Sequence, residues 1–121
     1  MLNRLNKLFE QYGGETAVLN HGLSLAMEWG ENFLKPIQTR LAAHYPQLTT
    51  EQLDEINALC QKTMRVGWDL VQQMAEKSGA NVDKRKWETA VRAQYPWISD
   101  DNLGRLFSQG MYYAWKDGLV G

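Results

Sequence analysis

The chain has 121 residues, 44% of them hydrophobic and 22% charged, which is enough to bury one real core and too apolar for a disordered polymer. A net charge of −1 gives no global field toward nucleic acid or an anionic membrane. One cysteine, Cys60, leaves no intramolecular disulfide to form, and no run approaches the roughly 18 apolar residues of a membrane span. A single helical domain over 1–121 in the cytoplasm is the resulting expectation, with no membrane partner.

In chain order, Leu2, Leu5, Leu8, Phe9 and Tyr12 fall at helical spacing, and Gly13-Gly14 closes that segment. Val18, Gly22, Leu25, Ala26, Trp29 and Phe33 predict a second helix over about 15–34 with one apolar stripe. Pro36 forces a bend or restart. Ile37, Leu41 and Ala42 continue the pattern to Tyr45, where Pro46 stops it.

Thr49 is a good N-cap, with Gln52 in the capping-box position. Leu53, Ile56, Leu59, Cys60, Met64, Gly67, Val71 and Met74 then predict a long helix to about Lys77, ended by Ser78-Gly79. Straight, such a helix is roughly 42 Å long, so it must bend near Gly67 or project beyond the core. Asp83 caps a shorter helix to Tyr95, with Trp87, Ala90 and Val91 inward. Ser99 caps the last one, whose inward set reads Leu103, Leu106, Phe107, Gly110, Met111, Ala114 and Trp115. No segment alternates as a strand does. The fold class is therefore all-α, a compact bundle of five to six helices.

The sequence contains an approximate repeat. Residues 39–53 (TRLAAHYPQLTTEQL) and 89–103 (TAVRAQYPWISDDNL) agree in chemical type at ten of fifteen positions across an offset of fifty. In each, proline ends one helix, an apolar residue anchors the loop, and a hydroxyl residue caps the next helix. Leu48 and Ile98 precede those caps, where each can staple onto Leu53 or Leu103. Two helix–Tyr-Pro–helix hairpins, spanning roughly 36–78 and 84–118, would follow from duplication and could be related by a pseudo-twofold. Independent use of the same grammar is the alternative.

No residue constellation carries recognisable catalysis. One Cys and two His cannot make a standard zinc site without several carboxylates, and neither histidine sits in a Glu-x-x-His pair. No metal, cofactor or catalytic residue is expected, and Cys60 reads as a buried, inert thiol. Five tryptophans in so short a chain are the compositional excess. Trp29, Trp87 and Trp115 lie on predicted core stripes. Trp68 lies beside the stripe of the long helix, and Trp97 occupies the second Tyr-Pro loop where the first has Gln47. Trp97, Tyr112, Tyr113 and Trp68 are the candidate partner-binding residues.

Lys84, Arg85, Lys86 and Arg92 form the basic patch. A helix start neutralised by Asp83 and Glu88 accounts for it more simply than phosphate binding does. The function most consistent with these residues is a non-enzymatic protein-interaction module (adaptor, inhibitor, immunity-type or regulatory protein) that self-associates as a homodimer. A small enzyme or ligand binder with a pocket between the hairpins, using Glu28, His21 or a nearby tyrosine, is the first alternative. A weak nucleic-acid binder through the basic patch is the second, disfavoured by Asp100 and Asp101 at the start of the final helix.

Overall fold

The structure, a computed structural model, describes residues 10, 13–78 and 81–120. Its described residues are mainly helical, with no strand among them. Helix α1 spans Glu15–Ala26, α2 Gln38–His44, α3 Thr50–Ser78, α4 Lys84–Gln94 and α5 Asp100–Lys116, with one turn of 3₁₀ helix at Gly30–Asn32. The helix expected over residues 2–12 lies outside the described residues, apart from Glu10. Among the described residues no helix is long and apolar enough to cross a membrane.

Contacts divide the chain into two compact units, Met1–Gln61 and Lys62–Gly121, and the division falls inside α3. Among the described residues the α-helices of each unit run in a similar order, with the 3₁₀ turn in the first unit alone. A first helix (α1, or the second half of α3) is followed by a shorter one, a Tyr-Pro loop and a third helix.

In the first unit, α1 stops eight residues short of the predicted end. Gly14, at φ +98°, opens it in a conformation that glycine alone adopts readily. At its far end the Met27 amide closes back on Leu23 and Leu25, and Arg40 Nη1 donates to the Leu25 carbonyl at 3.0 Å. A cation at a helix C-terminus is favoured by the dipole, and here it adds a second donor to the Leu25 carbonyl, which also accepts from the Glu28 amide at 3.3 Å. Arg40 also pairs with Glu28 and donates to the carbonyls of Lys35 and Pro36, so one side chain fastens the 27–37 connection. Gly30, at φ +88°, and Leu34, at φ +65°, complete the turn that carries the chain to Pro36. Helical spacing does not extend into this connection, and Trp29 is 54% exposed instead of buried. It stacks on Phe33 with ring centroids 4.6 Å apart.

The two Tyr-Pro loops close alike. Tyr45 adopts φ −132°, ψ 69° and Tyr95 φ −132°, ψ 73°, the departure from helix that a following proline enforces. The Leu48 amide donates to the Tyr45 carbonyl at 3.1 Å, and the Ile98 amide to that of Tyr95 at 3.3 Å. Both apolar anchors and both tyrosines are buried, as are Leu53 and Leu103. Thr49 and Gln52 make the full reciprocal capping box at 2.8 and 3.1 Å, and Ser99 accepts from the Asn102 amide at 3.2 Å.

Burial follows the same offset of fifty beyond the matched sequence. Ile37 and Trp87, Ile56 and Leu106, and Met64 and Ala114 are all buried despite different side chains. The fully buried Trp87 donates its indole N–H to the Gly67 carbonyl at 2.9 Å and meets Phe107 edge-on at 5.1 Å. Burying an indole here contributes hydrophobic stabilisation without stranding its donor.

Three helical glycines mark close approaches. A Cβ on Gly22 would lie 3.0 Å from Cys60 and 3.1 Å from Ile56. One on Gly67 would lie 2.5 Å from Leu106, and one on Gly110 2.7 Å from Val71. The glycine is thus on the first helix of the first unit, but on both the first and third helices of the second. Gly67 serves packing, and α3 runs through it without interruption.

Candidate functional site

Three of the four nominated aromatic residues lie together in the second unit. Trp68 and Tyr113 are 4.8 Å apart between ring centroids, Tyr112 is 5.5 Å from Tyr113, and Trp115 is 6.1 Å from Tyr112. Trp68 and Tyr113 are half-buried and form the inner edge of the cluster. Tyr112 is 45% exposed and Trp115 59% exposed, forming its outer edge. Burial, and then the neighbouring Tyr112, raises the Tyr113 hydroxyl above the usual tyrosine range.

Trp115, on the predicted core stripe, is exposed instead, because the buried face of α5 is centred on a different phase. Leu103, Leu106, Gly110 and Ala114 define the inward face of α5, and each successive residue turns the helix by about 100°. Trp115 follows Ala114 and so points away from the core. Asp101, Arg105, Ser108, Tyr112 and Trp115 recur at intervals of four, three, four and three residues, and all five are exposed. They form one outer stripe with Lys116 at its end.

Gly104 lies on the same side, and a Cβ there would meet nothing within 4 Å. Unlike the three glycines above, it has no packing partner in its own unit. A glycine in a helix interior costs about 1 kcal/mol relative to alanine.

The fourth nominee, Trp97, stands apart. It is half-buried in the second Tyr-Pro loop and meets the Tyr95 ring edge-on at 6.3 Å. The basic patch is divided by its local partners. Arg92 pairs with Asp100 and donates to the Ile98 carbonyl at 3.4 Å, tying the end of α4 to the start of α5. Lys84 lies 5.8 Å over the Phe107 ring. Asp83 caps α4 through the Lys86 amide at 3.2 Å. Arg85 and Lys86 border a shallow depression of about 480 Å³ completed by Thr89, Ala90 and Ala93.

The first unit holds a cluster that sequence spacing did not assemble. His21 Nδ1 lies 2.8 Å from the Tyr45 hydroxyl, and the His21 and His44 rings are 4.4 Å apart. Burial, and then the charge of His44, lowers the His21 pKa below its ordinary 6.5. Glu28 is engaged by Arg40 and accepts from Asn32, so it does not stand alone beside Trp29. The Cys60 thiol donates to the Leu19 carbonyl at 3.6 Å, and burial pushes its pKa up to about 12, well away from a reactive thiolate. Among the described residues, no group of three or more His, Cys, Asp or Glu side chains is placed to hold a metal ion.

No protein-family model matches the chain, and no curated protein or solved structure is significantly similar to it.

Proposed function

We propose that the protein is a protein-interaction module whose working surface is the outer face of α5, with Tyr112 and Trp115 as its anchors. The observation that carries this reading is the pairing of two large exposed aromatics on one regular helix, backed by the half-buried Tyr113 and Trp68 rings. Such side chains dominate binding energy at protein interfaces because they combine large apolar area with few rotatable bonds and a polar tip. Held on a helix and braced from behind, they are already ordered before a partner arrives, which lowers the entropic cost of docking.

The test is capture by the immobilised protein against a Tyr112→Ser/Trp115→Ser variant, with circular dichroism confirming that both are folded. Loss of captured protein in the variant, at unchanged helicity, is the expected result. Undiminished capture would rule the face out.

A further inference from the structure

Resting on the reading of the outer α5 face as a binding surface, we propose that its partner is a second copy of this chain, docked antiparallel about a twofold axis at Ser108. The face is complementary to its own reverse. With Ser108 at the axis, Asp101 lies seven residues to one side and Trp115 seven to the other. At about 1.5 Å per residue, each is then roughly 10 Å from the axis. Rotation by 180° sets Asp101 of one copy beside Trp115 and Lys116 of the other, and Arg105 over Tyr112. The first contact is a charge pair, and the second places a guanidinium on an aromatic face.

Each contact occurs twice, as any isologous interface requires. Parallel pairing instead sets Asp101 on Asp101 and Arg105 on Arg105, so the charge pattern selects the antiparallel arrangement. The antiparallel dipoles of the two helices favour it as well.

Gly104 and Ser108 supply the close approach. The aromatic rings lie toward the C-terminal end of the stripe, while the small residues occupy its centre and N-terminal half. In the antiparallel pair, the Tyr112 ring of each copy therefore lies over Gly104 of the other, and Trp115 lies beyond it next to Asp101. This gives the open space over Gly104 an occupant and a reason for glycine in a helix interior. Asp100 is already engaged by Arg92, whereas Asp101 stands on the stripe itself.

One helix face of about 21 Å buries less than an obligate dimer needs, so the association is weak and reversible.

Charge exchange tests the arrangement in sedimentation equilibrium of the full chain. Asp101→Lys alone and Lys116→Asp alone each place like charges together twice, and each is expected to raise Kd about tenfold. The double exchange Asp101→Lys/Lys116→Asp restores opposite charges across the axis and returns Kd to within about threefold of wild type. The two positions are fifteen residues apart on one helix, too far to compensate within a chain.

Cysteine cross-linking provides the register. Ser108→Cys gives a disulfide-linked dimer under mild oxidation and Asp101→Cys does not, with buried Cys60 silent in both. A wild type that stays monomeric at millimolar concentration, a double exchange that fails to rescue, or cross-linking through Asp101→Cys would each overturn the proposal. A monomeric wild type that still captures another protein through Tyr112 and Trp115 would overturn the self-pairing and leave the binding surface intact. Capture undiminished by the Tyr112→Ser/Trp115→Ser variant would remove both.

Discussion

The two compact units close their Tyr-Pro loops alike and pack the helices around them differently. In the first unit Ile37, the residue just before the short helix, lies beside Gly22, while in the second Trp87, within the corresponding helix, places an indole against the Gly67 backbone. Each unit also exposes apolar side chains, but on different supports. Trp29 and Leu34 (56% exposed) ride on an irregular connection in which Leu34 itself sits at positive φ, whereas Tyr112 and Trp115 stand on consecutive turns of a regular helix. The lesson is that a shared loop grammar fixes where helices stop and start, while the residues between the loops decide what each unit packs and presents.

The strongest way to break that comparison is through the anchor of the second unit. Trp87→Ala is expected to cost about 3–5 kcal/mol, because it removes a fully buried ring and leaves a cavity beside Phe107. Ile37→Val at the matching position is expected to cost only about 0.5–1.5 kcal/mol. Urea unfolding measures both, and equal losses would mean that the indole anchors nothing particular to its unit.

Next come the glycines. Gly67→Ala and Gly110→Ala push a methyl into Leu106 and Val71 and are expected to destabilise by about 1–3 kcal/mol, despite the better helix propensity of alanine. Gly22→Ala meets its neighbours at 3.0–3.4 Å and should fall well below them. Gly104→Ala, opening into free space, should stabilise the monomer by up to about 1 kcal/mol. Ranking the four by thermal or urea midpoint tests the packing account directly, and a destabilising Gly104→Ala would contradict it.

The smallest effect is the pH dependence peculiar to the first unit. Because the folded-state pKa of His21 lies below 6.5, the unfolded chain binds the proton more readily. The stability associated with neutral His21 is therefore complete above about pH 6.5 and declines as pH falls from there through the lowered folded pKa. His44→Gln, which introduces the residue found at Gln94, removes the repelling charge and should make that decline shallower. Histidine proton titration by NMR checks both statements. A His21 midpoint at or above 6.5 in the wild type would contradict them.

Sequence pattern made much of this fold legible because its loops are written in local chemistry. Pro46 and Pro96 end helices, Thr49, Asp83 and Ser99 start them, and each does so through atoms within a few residues. What it did not show depends on contacts distant in sequence. Arg40 ends α1 by reaching back fifteen residues to Leu25, and the His21–Tyr45 pair spans twenty-four. Neither has a spacing signature.

Trp29 matches the helical periodicity of α1 but lies past the end that Arg40 helps to fix, so it is exposed. Trp115 needed only a helical wheel. Its position beside Ala114 already placed it outside the face defined by Leu103, Leu106 and Gly110. Of the candidate surface, Tyr112 and Tyr113 were visible as an aromatic pair, but their continuity with Trp68 needed the packing of α5 on the second half of α3.

The binding claim rests on the difference between the two exposed patches, and three immobilised proteins separate them. Wild type, Tyr112→Ser/Trp115→Ser and Trp29→Ser/Leu34→Ser are compared for the protein each retains, including untagged copies of the chain itself. Loss in the α5 variant with retention in the loop variant is the predicted result. Retention in the α5 variant with loss in the loop variant would contradict the account and move the working surface to the first unit.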